Sequence, residues 1–474
     1  MLNRSEELLI QLFENWAGES GSTIHPLPLS GSNRTYYRIK GKKISAIGVH
    51  NPDRKENNAF VSFSKHFRSS GLPVPEIYAY DENQYIYLEQ DLGDITLFSY
   101  LTEQRSGEEF PSEVTGIYKQ VLEELVRFQI EGGKRIDYSM CYPRGKFDKQ
   151  SMLWDMHYFK YYFLKLAQIP FDEQTLEDDF DTFSDYLLQA DKDFFLYRDF
   201  QSRNVMLMDK RPFFIDYQGG RKGALQYDLA SLLYDAKADI PEEIRNELLG
   251  HYLEILDKQI SFDPKEFTSH YHGYVVIRIM QALGAYGFRG FYERKEHFLQ
   301  SIPFAIENLK NLLQKVTFPV EVPSLMNAFE ELTKSEKLKK ISGRKKELVV
   351  TVNSFSYREG IPPDYSGNGG GFVFDCRALP NPGRLTEFQD LSGKDRAVRD
   401  FLSSKPAVED FLRHSFSLVD QAVTNYIERN FTRLSVSFGC TGGRHRSVYA
   451  AEELAEYLRD KYKIRVEVHH TEEE

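Results

Sequence analysis

Short runs rich in β-branched and aromatic residues at Thr35–Ile39, Ile44–Val49 and Tyr85–Leu88 predict strands. A mixed polar and apolar pattern at helical spacing predicts a helix over Lys55–Ser69, between the second and third of them. From about Ser112 to Lys315 the apolar positions recur mainly at helical spacing, broken by a strand-rich stretch at Phe194–Tyr217. The segment Lys334–Lys346, KSEKLKKISGRKK, is basic and poor in apolar residues, and reads as a solvated hinge. ELVVTVNSFSY then restarts as a strand, and strands alternate with helices to Val468. The expected organisation is a first domain over 1–325 with a small β-rich lobe and a large helical lobe. A basic linker over 326–346 and a separate small α/β domain over 347–474 follow.

Composition narrows the class. The chain is 41% hydrophobic and 28% charged, as a globular protein is, and its net charge of −11 counts against a surface built for nucleic acid. No run of about 18 apolar residues is present, so no membrane span is expected. The stretch Met1–Ala17 alternates charged and apolar residues and lacks a signal-peptide core. The cysteines Cys141, Cys376 and Cys440 lie far apart without metal-ligand spacing, which favours a reducing, cytoplasmic setting.

Tyr197-Arg198-Asp199-Phe200-Gln201-Ser202-Arg203-Asn204-Val205 places an Asn five residues after an Asp between apolar strand residues, the catalytic-loop spacing of kinases. In that arrangement Asp199 takes the proton of the attacking hydroxyl and Asn204 reaches a Mg²⁺ ion on the phosphates of ATP. Asp216 ends the apolar strand Phe213-Phe214-Ile215 and is the expected second metal ligand. Asp228 opens a helix, Tyr227–Leu233, which it caps or buttresses. Upstream, Gly31, Ser32, Asn33 and Arg34 form a small-residue loop whose backbone N–H groups suit a triphosphate. Glu89, in Tyr87–Asp91, is expected at a hinge that meets adenine through its backbone. Glu56 stands on the helix where kinases place the partner of a strand Lys. That Lys is missing: Ser45–His50 offers none, and Lys42, Lys43 or Arg54 are its candidate substitutes. Together with the lobe order, these residues predict a protein-kinase-like bilobal α+β fold.

The pattern Asp-x4-Asn followed by Ile-Asp-Tyr-Gln and Tyr-Asp-Leu-Ala-Ser-Leu resembles the aminoglycoside phosphotransferase and choline kinase superfamily, with Tyr197 where the loop usually begins with His. Within it the likeness is to anomeric N-acetylmuramate/N-acetylglucosamine kinases of cell-wall recycling. It rests on Ser32-Asn33-Arg34, Leu88–Gly93, Tyr197–Asn204, Asp216-Tyr217-Gln218 and Arg278–Gly284. The resemblance implies an ATP-dependent small-molecule kinase with an amino-sugar acceptor. Asp155 and Tyr158, in the aromatic and acidic stretch Asp148–Leu166, are candidate acceptor contacts; a core helix is the competing reading. Arg278 and Arg289 are candidate partners for a carboxylate such as a lactyl group. Arg203 faces either the phosphates or solvent.

In the second domain, Gly439-Cys440-Thr441-Gly442-Gly443-Arg444-His445-Arg446-Ser447 runs from an apolar strand through a Gly-rich, cationic loop into a helix, an arrangement suited to an anion. Cys440 and Arg446 also satisfy the C-x5-R-Ser pattern of cysteine phosphatases. The domain resembles the C-terminal domain of the RapZ RNase adapter family through Ser354–Pro362, Phe374–Gly383, Leu391–Asp395 and Gly439–Tyr449. The resemblance implies a sensor of a phosphorylated amino sugar, with Arg377 and Asn381 on a second loop lining the pocket. RNA-binding relatives end in a basic tail, whereas this chain ends HHTEEE, so RNA as a partner is disfavoured. Three function classes stay open: an amino-sugar kinase, an aminoglycoside or other small-molecule kinase, and a non-catalytic nucleotide-binding regulator or RNA adapter.

Overall fold

The computed structural model describes the chain except residues 1–2, 21, 28–33, 106–108, 336, 339–347, 363–370, 429–430, 432 and 473–474. It divides into two compact units, Met1–Ile341 and Ser342–Glu474.

The first unit begins with the helix Arg4–Ala17 and an antiparallel sheet. Its strands are β1 (Thr23–Pro26), β2 (Thr35–Lys40), β3 (Ser45–His50), β4 (Ile77–Asp81) and β5 (Ile86–Gln90), in the order β1-β2-β3-β5-β4. Because successive strand residues face opposite sides, Tyr37, Ile39, Ala46, Ile86 and Leu88 pack on Leu9 and Phe13 of the first helix. Ile47, Val49 and Tyr87 join the larger core with Phe60, Phe63 and Phe67 of the helix Arg54–Ser69. Asp53 caps that helix, accepting from the N–H groups of Lys55 and Glu56.

The larger lobe is helical, with two short two-stranded antiparallel sheets inserted. β6 (Phe194–Leu196) pairs with β9 (Arg221–Gly223), and β7 (Val205–Met208) with β8 (Arg211–Phe214). The helix Pro264–Gly287 runs through the core beside the helix Lys149–Phe159 and the wider turn Lys160–Leu164. A Cβ at Gly287 would lie 2.0 Å from the Tyr162 carbonyl oxygen, and one at Gly284 would lie 3.0 Å from the Phe159 nitrogen. Glycine is therefore what lets these two backbones touch. Among the described residues, no helix is long and apolar enough to cross a membrane.

The linker expected from residue 326 does not begin there. Residues Pro323–Lys334 form a helix that buries Leu325, Ala328, Phe329 and Leu332. Those four positions follow a helical apolar stripe, and its burial outweighs the charged residues on the opposite face. Residues 339–347 of that segment lie outside the described residues.

The second unit is a parallel α/β fold. Its strands are β10 (Val349–Ser356), β11 (Phe372–Asp375), β12 (Arg433–Cys440) and β13 (Arg465–His470), in the order β11-β12-β10-β13. The helices Arg396–Ser403, Pro406–Glu428 and Arg446–Tyr462 accompany it. β12 buries Leu434, Val436 and Phe438 in the core, alternating with Ser435 and Ser437 as the two-residue period of a strand places them. Ser356, Asp375 and Cys440 end their strands side by side at the carboxyl edge, where ligands of open α/β sheets bind.

Candidate active site and anion loop

Arg34 immediately precedes β2, and its side chain is only 3% exposed. Its Nη2 lies 2.7 Å from Glu56 Oε1, and its Nη1 lies 3.5 Å from Asp216 Oδ1. Glu56 is fixed from behind by Asn51, whose Nδ2 donates to Oε2 at 2.9 Å. One buried guanidinium thus joins the helix Glu to the expected metal-binding Asp; in kinases it is a strand Lys that pairs with this Glu. The proposed substitutes do not reach this place: Arg54 pairs with Glu82 at 2.8 Å, and Lys42 and Lys43 are exposed. Gly31, Ser32 and Asn33 lie outside the described residues.

Glu89 departs from its expected role. β5 lies between β3 and β4, with Glu89 in register with both Ile47 and Ile77, so its backbone belongs to the sheet. Its side chain is buried near the Arg34 charge with Oε2 lacking a hydrogen-bond partner, and burial pushes its pKa up to about 8. A carboxyl whose pKa is raised on folding adds stability below its unfolded value, and loses that contribution as pH climbs through its folded value. Thermal melting should therefore show the native chain losing stability from about pH 4.5 to about pH 8 relative to Glu89→Gln. Parallel pH profiles for the two would show that Glu89 is not the group responsible.

The catalytic loop is held from below. Asp228, fully buried in the first turn of the helix Leu225–Leu233, accepts from the N–H groups of Tyr197 at 2.6 Å and Arg198 at 2.9 Å. Of the two structural roles expected for Asp228, it is the buttress that the structure bears. Burial pushes its pKa up to about 7, against these two hydrogen bonds. Arg198 adopts φ +86° and Asp216 φ +72°, left-handed conformations that need such outside support. Tyr197 Oη donates to the Ile215 carbonyl at 2.6 Å, tying the catalytic loop to the residue before Asp216. Ser202 Oγ donates to Asp235 Oδ2 at 2.6 Å.

Asp199, Asn204 and Asp216 converge. Asn204 Nδ2 donates to the Asp199 carbonyl at 2.8 Å and to Asp216 Oδ2 at 3.2 Å, while Gln218 Nε2 donates to Asp216 Oδ1 at 2.6 Å. Burial first, and the Asp199 carboxylate second, raise the pKa of Asp216, which Arg34 partly offsets. A site with excess negative charge and hard oxygen donors suits a magnesium-like cation, which takes one or two protein carboxylates and completes its shell with phosphates and water. Asn204 and Asp216 are the residues that would hold it. No group of three or more His, Cys, Asp or Glu side chains is arranged for a metal among the described residues.

The acceptor candidates separate. Asp155 is buried, and both of its oxygens are taken by Arg198, at 2.8 and 2.6 Å. It positions the catalytic loop rather than facing a ligand, because a buried guanidinium needs a bidentate carboxylate. Tyr158 is half-buried against Tyr162 and Phe288. Arg278 is buried, bonded to Gln281 and 5.5 Å from the Tyr227 ring, within the influence of the Asp199 charge. Arg203 is exposed, and its charge acts on Asp216. Sequence reasoning gave no role to Gln218 or Asn51; each is a short-range polar partner with no spacing signature.

In the second unit, Cys440, Thr441, Gly442 and Gly443 (φ +63°) carry the chain from β12 to the helix Arg446–Tyr462. Thr441 and Gly442 are exposed. The expected cations are partly engaged in holding neighbouring backbone. Arg444 Nη2 donates to Asp390 O at 2.7 Å, and His445 Nε2 lies 2.9 Å from Phe388 O. Arg446 Nη1 donates to Arg377 O and Leu379 O at 2.8 and 3.0 Å. Arg377 pairs with Asp375 at 2.6 Å and lies 3.9 Å from the Tyr357 ring, and Asn381 accepts from Gly383 N at 3.2 Å. Arg377, Asn381, Arg444 and His445 thus each hold a contact within the protein beside the loop.

A model of the phosphotransferase enzyme family matches residues 23–264, and a model of the RapZ C-terminal domain matches residues 348–474. The chain is 30% identical over 251 residues to a nucleotide-binding protein of Pseudothermotoga lettingae, covering 52% of this chain and 85% of that protein. It is 38% identical over 133 residues to one of Thermosipho africanus, covering 28% and 46%. Among solved structures, choline kinase LicA of Streptococcus pneumoniae is similar at 15% identity, covering 66% of this chain and all of that one, with a TM-score of 0.43. Choline kinase of Cryptosporidium parvum is similar at 12% identity, covering 68% and 99%, with a TM-score of 0.47.

Proposed function

Because the chain belongs to the phosphotransferase enzyme family, we propose that its first unit transfers the γ-phosphoryl group of ATP to a hydroxyl of a small molecule. The observation that carries this reading is the convergence of Asp199, Asn204 and Asp216, with Arg34 bridging Asp216 to Glu56. Asp199 orients the acceptor hydroxyl and takes its proton. Asn204 and Asp216 hold a divalent cation, which neutralises phosphate charge when bound. Arg34 supplies the fixed positive charge that the strand Lys supplies elsewhere, and Glu56 holds it in place. Asp228 and Asp155 position the loop without touching substrate.

The acceptor we propose is N-acetylmuramate or N-acetylglucosamine, phosphorylated at the anomeric hydroxyl. Arg278, a buried cation within the field of Asp199, supports an acceptor that bears a carboxylate. The second unit then binds a phosphorylated amino sugar at the Gly439–Ser447 loop, and the protein works in the cytoplasm. The test is ATP consumption by the full chain against N-acetylmuramate, N-acetylglucosamine, glucosamine, choline and kanamycin. Turnover confined to the N-acetyl sugars is the expected result. Turnover on kanamycin or choline alone would replace the acceptor, and ATP binding without turnover on any of them would favour a nucleotide-binding regulator.

A further inference from the structure

Cys440 ends β12 and Arg446 opens the following helix, so the C-x5-R-Ser sequence folds into strand, loop and helix N-terminus. Cys440 is 3% exposed, and its Sγ lies 3.1 Å from Ser447 Oγ. Burial raises the pKa of this thiol. The Ser447 hydroxyl, the N–H groups of Ser447 and Gly442, and the Arg446 charge outweigh burial and leave the thiol below its ordinary value. Cys376, at the end of the neighbouring strand, behaves as a buried structural thiol does: burial drives its pKa far upward.

Arg446 gives a second, independent observation. It is 5% exposed, and its Nη1 is committed to two backbone carbonyls. Nη2 sits 3.4 Å from Thr441 Oγ1, and Nε has no hydrogen-bond partner. One side of the guanidinium is thus anchored; on the other, Nη2 reaches the loop at Thr441 and Nε is buried without an acceptor. A buried donor without an acceptor is costly, and two oxygens of a phosphoryl group that displaces the long Thr441 contact would satisfy Nε and Nη2 bidentately.

We propose that Cys440 is a nucleophile and that the second unit hydrolyses phosphate monoesters through a phosphocysteine. This goes beyond sensing, which needs only reversible binding. A thiolate electron pair forms the S–P bond as the ester P–O bond breaks, and the departing oxygen keeps the bonding pair. Water then attacks phosphorus, the S–P bond breaks, and thiolate, inorganic phosphate and a proton are released. Asp375, which feels the Arg446 charge, is tied to Arg377 and held below the usual carboxylate range, so it has no proton to give the leaving oxygen. The substrates are therefore esters whose leaving group needs no protonation, namely activated aryl phosphates.

The test uses the full chain and p-nitrophenyl phosphate without ATP. Hydrolysis should fall about 100-fold or more in Cys440→Ser and stay unchanged in Cys141→Ser, which lies in the other unit. Acid quenching should leave a phosphoryl group on the peptide that contains Cys440. No hydrolysis by the native chain, or equal hydrolysis by Cys440→Ser, overturns the proposal. If Cys440→Ser fails to fold, iodoacetate labelling of the native chain decides. Cys440 should be alkylated at lower pH than Cys141, whose thiol burial pushes up, with orthovanadate protecting it; no labelling, or labelling indifferent to vanadate, overturns the proposal equally.

Discussion

Asp199→Asn should reduce ATP-dependent turnover by about a thousandfold, while the nucleotide dissociation constant moves by less than about twofold. The size follows from the role. A positioned general base contributes about 10²–10⁴ to the rate, and an amide in its place cannot take the hydroxyl proton. The loop itself should survive the change. Asn204 contacts the backbone carbonyl of residue 199 rather than its carboxylate, and Asp228 holds the Tyr197 and Arg198 N–H groups. Steady-state ADP release and a nucleotide titration on the same preparation separate the two effects. Turnover retained in Asp199→Asn would remove Asp199 from the chemistry. A loss of nucleotide binding as large as the loss of rate would point to a collapsed loop instead.

Arg34→Ala should be the most damaging change in the small lobe. It leaves Glu56 and Asp216 facing each other's surroundings without the cation between them. The carboxylates left behind are partly exposed, so solvent screening keeps the loss below that of a fully buried pair, and melting temperature and activity should fall together. Arg34→Lys is the informative companion. A single ammonium can keep the contact to Glu56 but cannot present two nitrogens to two carboxylates as the planar fork does. It should recover much of the stability and less of the rate. Full activity in Arg34→Lys would show that the bridge to Asp216 contributes nothing to transfer. Normal stability in Arg34→Ala would show that the pair is not buried enough to matter.

The grouping of Asp199, Asn204 and Asp216 was legible in the sequence because its parts are close in the chain: Asp199 and Asn204 are five residues apart, and Asp216 follows at the end of the next hairpin. Local spacing fixes what a short loop can bring together. Glu56 was readable from its place on the helix that follows the third strand of the small lobe, a position that the structure keeps. Arg34 was placed in the phosphate-facing loop, but its side-chain partners were not read. Its contacts lie on a helix 22 residues later and on a strand end far beyond, and no periodicity in the sequence connects them. Asp155 was misread for a related reason. An acidic residue among aromatics looks like a sugar platform until the guanidinium that consumes it is seen across the lobe.

The boundary between the units shows the same division. Charge density announced a hinge at Lys334–Lys346, but the apolar stripe Leu325-Ala328-Phe329-Leu332 kept the preceding residues in the first unit's core. In the second unit the glycine-rich turn between β12 and its helix was plain from Gly439 to Ser447, since only such a turn joins that strand to that helix so closely. Which of its cations are free was not plain. Arg444, His445 and Arg446 look alike in sequence, yet tertiary packing commits the first two to carbonyls at 390 and 388 and leaves only Nε of the third without a partner. The sequence by itself determined the lobe order, the catalytic spacing and the turn chemistry, all set by neighbours along the chain. Only the tertiary structure decided which charges are already spent on one another, because pairing across elements depends on burial and approach that no local pattern records.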